Sequence, residues 1–258
     1  MTLELVRYQL RKPAAVITLN RPDKRNALSR ALINELVMAF RLANDDPQVR
    51  CVILTGEGSV FCAGMDLDEL HGTLGADQEV VWEDAERLSE LYELINKLPK
   101  PTIAAVNGHA VAGGAGLVTV CDLAISVQAA KFGYPEARRG LVAAMVMPHL
   151  LRHVGERAAR FMLLTGELLE ANGAARCGLI NQVVSSDFLM DTAMAWARSV
   201  AEGGPRALAT TKELLSRCSR QAMTAQEFAR GSAEPRLGEE CRLGLEAFFS
   251  KQPAPWVT

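Results

Sequence analysis

No uninterrupted apolar run in this chain is long enough to span a bilayer, although 49% of its 258 residues are apolar. A membrane is therefore not an expected partner. No two cysteines form a CxxC pair. The six, Cys51, Cys62, Cys121, Cys177, Cys218 and Cys241, are scattered, which points to reduced thiols in small apolar roles rather than disulfides. Neither charge is in excess: 28 Lys and Arg face 30 Asp and Glu, a formal net charge of -2. That balance gives no reason to expect nucleic acid or an acidic surface as partner, so any phosphate binding must be local. No leading hydrophobic segment suggests secretion. Met1-Thr2-Leu3-Glu4 opens directly into strand-like sequence, so no targeting peptide and a cytoplasmic location are expected.

What is present is an alternation of strand-like and helical patterns, in a length that suits one large or two unequal domains. Val16-Ile17-Thr18-Leu19 reads as a strand, and Leu32, Ile33, Leu36, Val37, Phe40 and Ala43 recur at helical spacing until Asp46-Pro47. Cys51-Val52-Ile53-Leu54-Thr55 is a second strand. Leu88, Leu91, Tyr92, Ile95 and Leu98 form the next helical stripe, and Thr102 to Val106 a third strand. Gly72, Gly75 and clustered acids weaken the helical pattern between Gly72 and Glu86, which predicts a mobile wall. Beyond about Asp187 the strand signal fades. Leu189, Ala193, Trp196 and Val200 share a helical face, and helical stretches follow Pro205 and Pro235, the latter with Leu243, Leu245, Phe248 and Phe249. Periodicity alone makes a doubly wound α/β sheet the default.

Two small-residue turns carry the chemistry. Cys62-Ala63-Gly64-Met65-Asp66-Leu67 follows one strand, and Gly108-His109-Ala110-Val111-Ala112-Gly113-Gly114-Ala115-Gly116 follows another and opens a helical run to Val120. Small residues leave backbone N–H groups uncovered, and a helix start adds unpaired donors at the positive end of its dipole. Facing one cavity, two such turns would hold an oxyanion between backbone donors.

In these residues the chain resembles the crotonase, or enoyl-CoA hydratase/isomerase, superfamily. The likeness extends through Asn20 to Leu28, Phe61 to Leu67, Lys100 to Gly108, Cys121 to Ala124, Phe132-Gly133-Tyr134-Pro135-Glu136, Leu164-Thr165-Gly166 and Ala247 to Lys251. It implies a spiral of stacked ββα units over 1–186, and a C-terminal helical region over 187–258 that joins subunits into trimers or hexamers. It implies an acyl-CoA substrate, with coenzyme A part of that substrate and no separate cofactor or metal. The implied oxyanion donors are the N–H groups of Met65 and Gly113. Lys24 and Arg25 would meet the CoA phosphates with charge-assisted contacts, as would Lys251 from the tail, and the adenine would lie against Ala63 to Leu67, Asp66 included.

Hydratases of this family carry two glutamates, one three residues after the oxyanion-hole glycine and one in the Phe-Gly-x-Pro-Glu segment. This chain keeps the second as Glu136 and has Gly116 at the first. Water addition needs a base for water and a proton source for the α-carbon, whereas one base suffices to move a double bond from the β,γ to the α,β position. Isomerisation is thus the better fit, with enoyl-CoA hydration as the alternative. A structural ion pair between Glu136 and Arg138, Arg139 or Arg152 is the plainer reading of that carboxylate. Asp66 and Asp122 read as buried or capping carboxylates. His109 is expected to pack behind the turn, His71 to sit exposed or at a helix end, and His149 with His153 to pack within a helix. Gly113 to Gly116 lacks a full GxGxxG order. A catalytically weak CoA- or RNA-binding scaffold is the rival of another class, and a serine hydrolase lacks its nucleophile elbow.

Overall fold

The computed structural model describes residues 3–73, 76–220 and 238–256. Strands β1 (Val6–Arg11) and β2 (Ala14–Leu19) pair antiparallel. From β2 the sheet continues in parallel through β3 (Cys51–Gly56), β5 (Thr102–Val106), β7 (Leu123–Val127) and β10 (Gln182–Val184). The skipped strands lie elsewhere. β4 (Val60–Cys62), β6 (His109–Val111) and β8 (Lys131–Gly133) pair in parallel as a second sheet, and β9 (Leu169–Glu170) adds to it antiparallel. From β3 to β8 each repeat therefore lays one strand in the long sheet and the next in the short one before a helix returns the chain. This is a spiral of ββα turns, not the doubly wound sheet that periodicity favours. The apolar runs suit it: all five residues of β5 are buried, as in a strand covered on both faces.

The helices close the core. In α1 (Arg30–Asp45), capped by Ser29 accepting from the Leu32 N–H, six residues from Leu32 to Ala43 are buried. After the short α2 (Leu67–Gly72), α3 (Gln78–Lys97) buries Leu88, Leu91, Tyr92 and Ile95. All eight residues of α4 (Gly113–Val120) are buried. Next come α5 (Met147–Thr165), α6 (Ala171–Arg176) and α7 (Leu189–Ala201). Helix α7 packs onto β3, β5 and β7 through Leu189, Ala193 and Ala197. The last described helices are α8 (Pro205–Arg220) and α9 (Glu239–Phe249). Arg50 ties this end to the core, donating to the carbonyls of Gly203 and Trp256, each at 2.7 Å.

In the stretch from Gly72 to Glu86, of which Gly75 lies outside the described residues, the helical pattern is stronger than expected, because α3 begins at Gln78. Its acids do not oppose the helix. Glu79 occupies the first turn, where the dipole favours a negative charge, and Glu83 and Glu86 face solvent. Pro235, and the side chains of Leu245, Phe248 and Phe249, lie outside the described residues. Among the described residues no disulfide joins any of the six cysteines, and Cys51, Cys62 and Cys121 are buried. No helix of the described residues is long and apolar enough to cross a membrane.

Candidate active site

The first turn leaves β4 at Cys62 and bends at Gly64, whose φ of +92° suits glycine. The Gly64 carbonyl accepts from the Leu28 N–H at 2.7 Å, and the Asp66 N–H returns to the Leu28 carbonyl at 3.0 Å. A trans peptide directs its N–H opposite to its C=O, so the Met65 N–H points away from Leu28. Asp66 then caps α2, accepting from the N–H of Asp68 at 3.0 Å, and pairs with Arg21 at 2.5 Å. Burial pushes the Asp66 carboxyl up, but Arg21 and the cap outweigh it and hold it below its ordinary value.

The second turn bends at Ala112, with φ 52° and ψ -126°. That conformation strains an L-residue by about 1–3 kcal/mol. Two bonds hold it: the Ala112 N–H donates to Gly133 at 2.8 Å, and the Ala112 carbonyl accepts from the Gly116 N–H at 3.0 Å. Because that carbonyl is turned into α4, the Gly113 N–H points out of the helix start, where the dipole favours negative charge. The two turns touch. A methyl on Gly64 would lie 2.8 Å from the Ala112 Cβ and 3.1 Å from the Gly113 nitrogen. Among the described residues neither the Met65 nor the Gly113 N–H has an acceptor. Both residues line one cavity of about 270 Å³.

Glu136 lines the same cavity from a 3-10 turn, Pro135–Arg139. It is half-buried, and its Oε2 is buried with no hydrogen-bond partner. Burial pushes its pKa above the ordinary 4.5, and a hydrogen bond from its own backbone N–H, then Arg139, pull the other way. Such a carboxylate holds a proton more readily than a solvated one. The ion-pair alternative does not form: Arg138 donates to the Thr165 carbonyl, Arg139 to its own turn at Pro135, and Arg152 to Asn96. A second carboxylate of the wall, Asp84, is engaged by Arg30 in two 2.6 Å bonds that hold its pKa down. Apolar side chains, among them Leu70, Val81, Leu88, Leu141 and Met145, make up much of the remaining lining.

Tyr92 is the residue that sequence reasoning missed, having placed it in an apolar stripe. Its hydroxyl donates to the Gly113 carbonyl at 2.7 Å, and it lines the cavity. The available signal was a phenol in an otherwise aliphatic stripe, since a buried phenol hydroxyl needs a partner. Asn26, also without an assigned role, is buried with φ 53°. Its amide donates to the carbonyls of Glu57 and Val60, at 3.0 and 2.8 Å, fixing the early loop to the β3–β4 connection.

The proposed CoA contacts are brought together in part. The Arg25 carbonyl accepts from the Ala63 N–H at 3.0 Å, joining the early loop to the first turn. The Arg25 side chain is exposed, and Lys24 pairs with Asp68 at 3.1 Å beside it. Leu67 is 53% exposed at the rim. Lys251 is exposed on the tail, and among the described residues no hydrogen bond or ion pair joins it to the turns. His109 does not pack behind its turn. It is exposed on β6, a short strand at the surface there, and its Nδ1 accepts from the Lys131 N–H at 3.2 Å. His71 is exposed in the last turn of α2. His149 is buried against Arg152, and the His153 Nε2 lies 2.9 Å from the Thr119 carbonyl, so both serve helix packing. Asp122 is no helix cap among the described residues, but it does accept a backbone N–H. It accepts from the Thr102 N–H and hydroxyl and from Lys212, at 2.7, 2.9 and 2.6 Å.

Residues 11–258 match the family model described as Enoyl-CoA hydratase/isomerase. The chain belongs to that family. A Thermus thermophilus protein named as an enoyl-CoA hydratase is 40% identical over 241 residues, 93% of this chain and 95% of that one. The Escherichia coli 2,3-dehydroadipyl-CoA hydratase is 32% identical, covering 92% of each chain. The crystal structure of an enoyl-CoA hydratase from Shewanella pealeana superposes with a TM-score of 0.93 at 31% identity, over 98% of this chain and 96% of that one. The enoyl-CoA hydratase/isomerase family acts on acyl-CoA thioesters, and the paired turns and apolar cavity suit an acyl thioester.

Proposed function

We propose that this acyl-CoA enzyme is an enoyl-CoA isomerase that uses Glu136 as its one base. The thioester oxygen of a 3-enoyl-CoA would sit between the N–H groups of Met65 and Gly113. Glu136 takes a proton from the α-carbon, the C–H electron pair moves into the carbonyl, and a dienolate forms against the two donors. The same carboxyl then returns the proton to the γ-carbon, leaving the double bond between the α- and β-carbons. Removing one comparable backbone-type donor costs about 3 kcal/mol of transition-state stabilisation. Lys24, Arg25 and Lys251 are proposed to meet the CoA phosphates, and the backbone of Ala63 to Leu67 the adenine.

One observation carries the preference: of the two carboxylates lining the cavity, Asp84 is tied up by Arg30, whereas Glu136 makes no ion pair among the described residues and keeps a buried Oε2 with no hydrogen-bond partner. A single carboxylate outside any ion pair and of raised proton affinity suits a base that returns the proton it took. Hydration is the second reading, favoured by the names of the Thermus and Escherichia relatives. A non-catalytic scaffold would have no use for a buried, unpartnered carboxylate oxygen beside two unpaired N–H groups. The test is a panel of 2-enoyl- and 3-enoyl-CoA thioesters with product identification. Conversion of 3-enoyl to 2-enoyl thioesters as the main reaction is expected. Strong hydration of 2-enoyl thioesters with no isomerisation would overturn the preference.

A further inference from the structure

We propose that Tyr92 keeps this a one-carboxylate site. Its phenol fills the volume that a side chain at position 116 needs, and it holds the Gly113 peptide by its carbonyl. It is thus a positioning and specificity-determining residue. The inference rests on the isomerase reading above and deepens it.

Gly116 lies in the second turn of α4, four residues after Ala112 whose carbonyl its N–H caps. A Cβ built there would collide with the Tyr92 hydroxyl oxygen. It would also lie 2.6 Å from the Tyr92 Cζ and 2.8 Å from the Val146 Cγ1. Real Cβ atoms do not approach ring or methyl carbons that closely, and the ring cannot swing aside, because Tyr92 is 1% exposed. The glycine at 116 and the tyrosine at 92 are therefore one feature shared by two helices. The hydroxyl spends its single proton on the Gly113 carbonyl at 2.7 Å, fixing the residue whose N–H faces the cavity. Burial, with Cys62, Tyr134 and Glu136 nearby, keeps the phenol neutral. A neutral phenol does not take a proton from water, so it does not substitute for the base it displaces. In hydration one carboxylate takes a proton from water as the water oxygen bonds the β-carbon, and a second donates a proton to the α-carbon. Tyr92 leaves room for one.

The test is a set of four variants of the full-length protein: Tyr92→Phe, Tyr92→Ala, Gly116→Glu and the double variant Tyr92→Ala/Gly116→Glu. Thermal melting is read for each, with rates on 2-enoyl- and 3-enoyl-CoA. Tyr92→Phe should keep KM within about twofold and lower kcat about tenfold, the size of one lost neutral hydrogen bond. Gly116→Glu should melt far below the native protein. The double variant should melt above Gly116→Glu, and should hydrate 2-enoyl-CoA at least about tenfold faster than the native protein. A double variant no more stable than Gly116→Glu would overturn the proposal. So would a folded double variant with unchanged hydration, or a Tyr92→Phe variant with native kcat. The native protein's own products judge the isomerase reading separately, since the proposal is read from the melting differences and from changes relative to native rates.

Discussion

Burial raises the proton affinity of Glu136, and the exposed Arg139 opposes it. A base must be ionised to act, so the acid limb of kcat/KM should fall above the ordinary carboxylate value of 4.5. Removing the opposing cation in Arg139→Gln should move that limb to higher pH, by less than one pH unit because solvent screens an exposed guanidinium. A pH–rate profile of both proteins checks it, and a limb displaced to lower pH would contradict the assignment. The same shift has a stability sign. A carboxyl raised on folding stabilises the native state below its unfolded pKa, and that contribution is lost as pH rises through the folded value. At the residue scale Glu136 was legible because its segment is a local motif, and its freedom from an ion pair with the neighbouring arginines was not. Arg138 and Arg152 are turned by a carbonyl and an amide supplied from distant segments, Thr165 and Asn96, and Arg139 by the carbonyl of Pro135 in its own turn. Tyr92 was hidden for the same reason: its partner is 21 residues away on another helix.

Element by element, the sequence announced the long pieces and concealed the short ones. The strands β2, β3 and β5 are continuous apolar runs, and α1 carries a clear 3.6-residue stripe. The second sheet is built of strands of two or three residues. Such strands are too short for alternation to register, and their pairing is entirely non-local. They are nonetheless what delivers both turns to one place, since β4 pairs with β6 immediately before each bend. Helix α4 is then pressed directly onto β4. A Cβ at Gly114 would collide with the Cys62 carbonyl oxygen and lie 2.7 Å from the Cys62 Cβ. Gly114→Ala is expected to destabilise by about 3 kcal/mol through overpacking, measured by denaturant unfolding. A loss below about 1 kcal/mol would mean that the helix start can retreat from the strand.

Across the whole molecule, the spiral was legible only through the joint order of its motifs, because strand–helix alternation is common to many α/β arrangements. The C-terminal region is less separate than its composition suggests, since α7 covers the long sheet and Arg50 pins Gly203 and Trp256. Exposed apolar residues remain on the monomer, including Leu164 at 72% and Leu215 at 65%. We propose a homotrimer or hexamer, which would cover such surface. Light scattering should give a mass near three or six times 28.0 kDa, and a monomeric mass across a broad concentration range would contradict it. The central claim is that one carboxylate carries the proton, and Glu136→Gln tests it most directly. The amide keeps the size and removes the base, and it lacks the charge whose burial disfavours the native state at neutral pH. The variant is expected to melt no lower than the native protein, to bind CoA with similar affinity in calorimetry, and to turn over 3-enoyl-CoA about 10³-fold more slowly. Near-native turnover by a folded, CoA-binding Glu136→Gln protein would contradict the account.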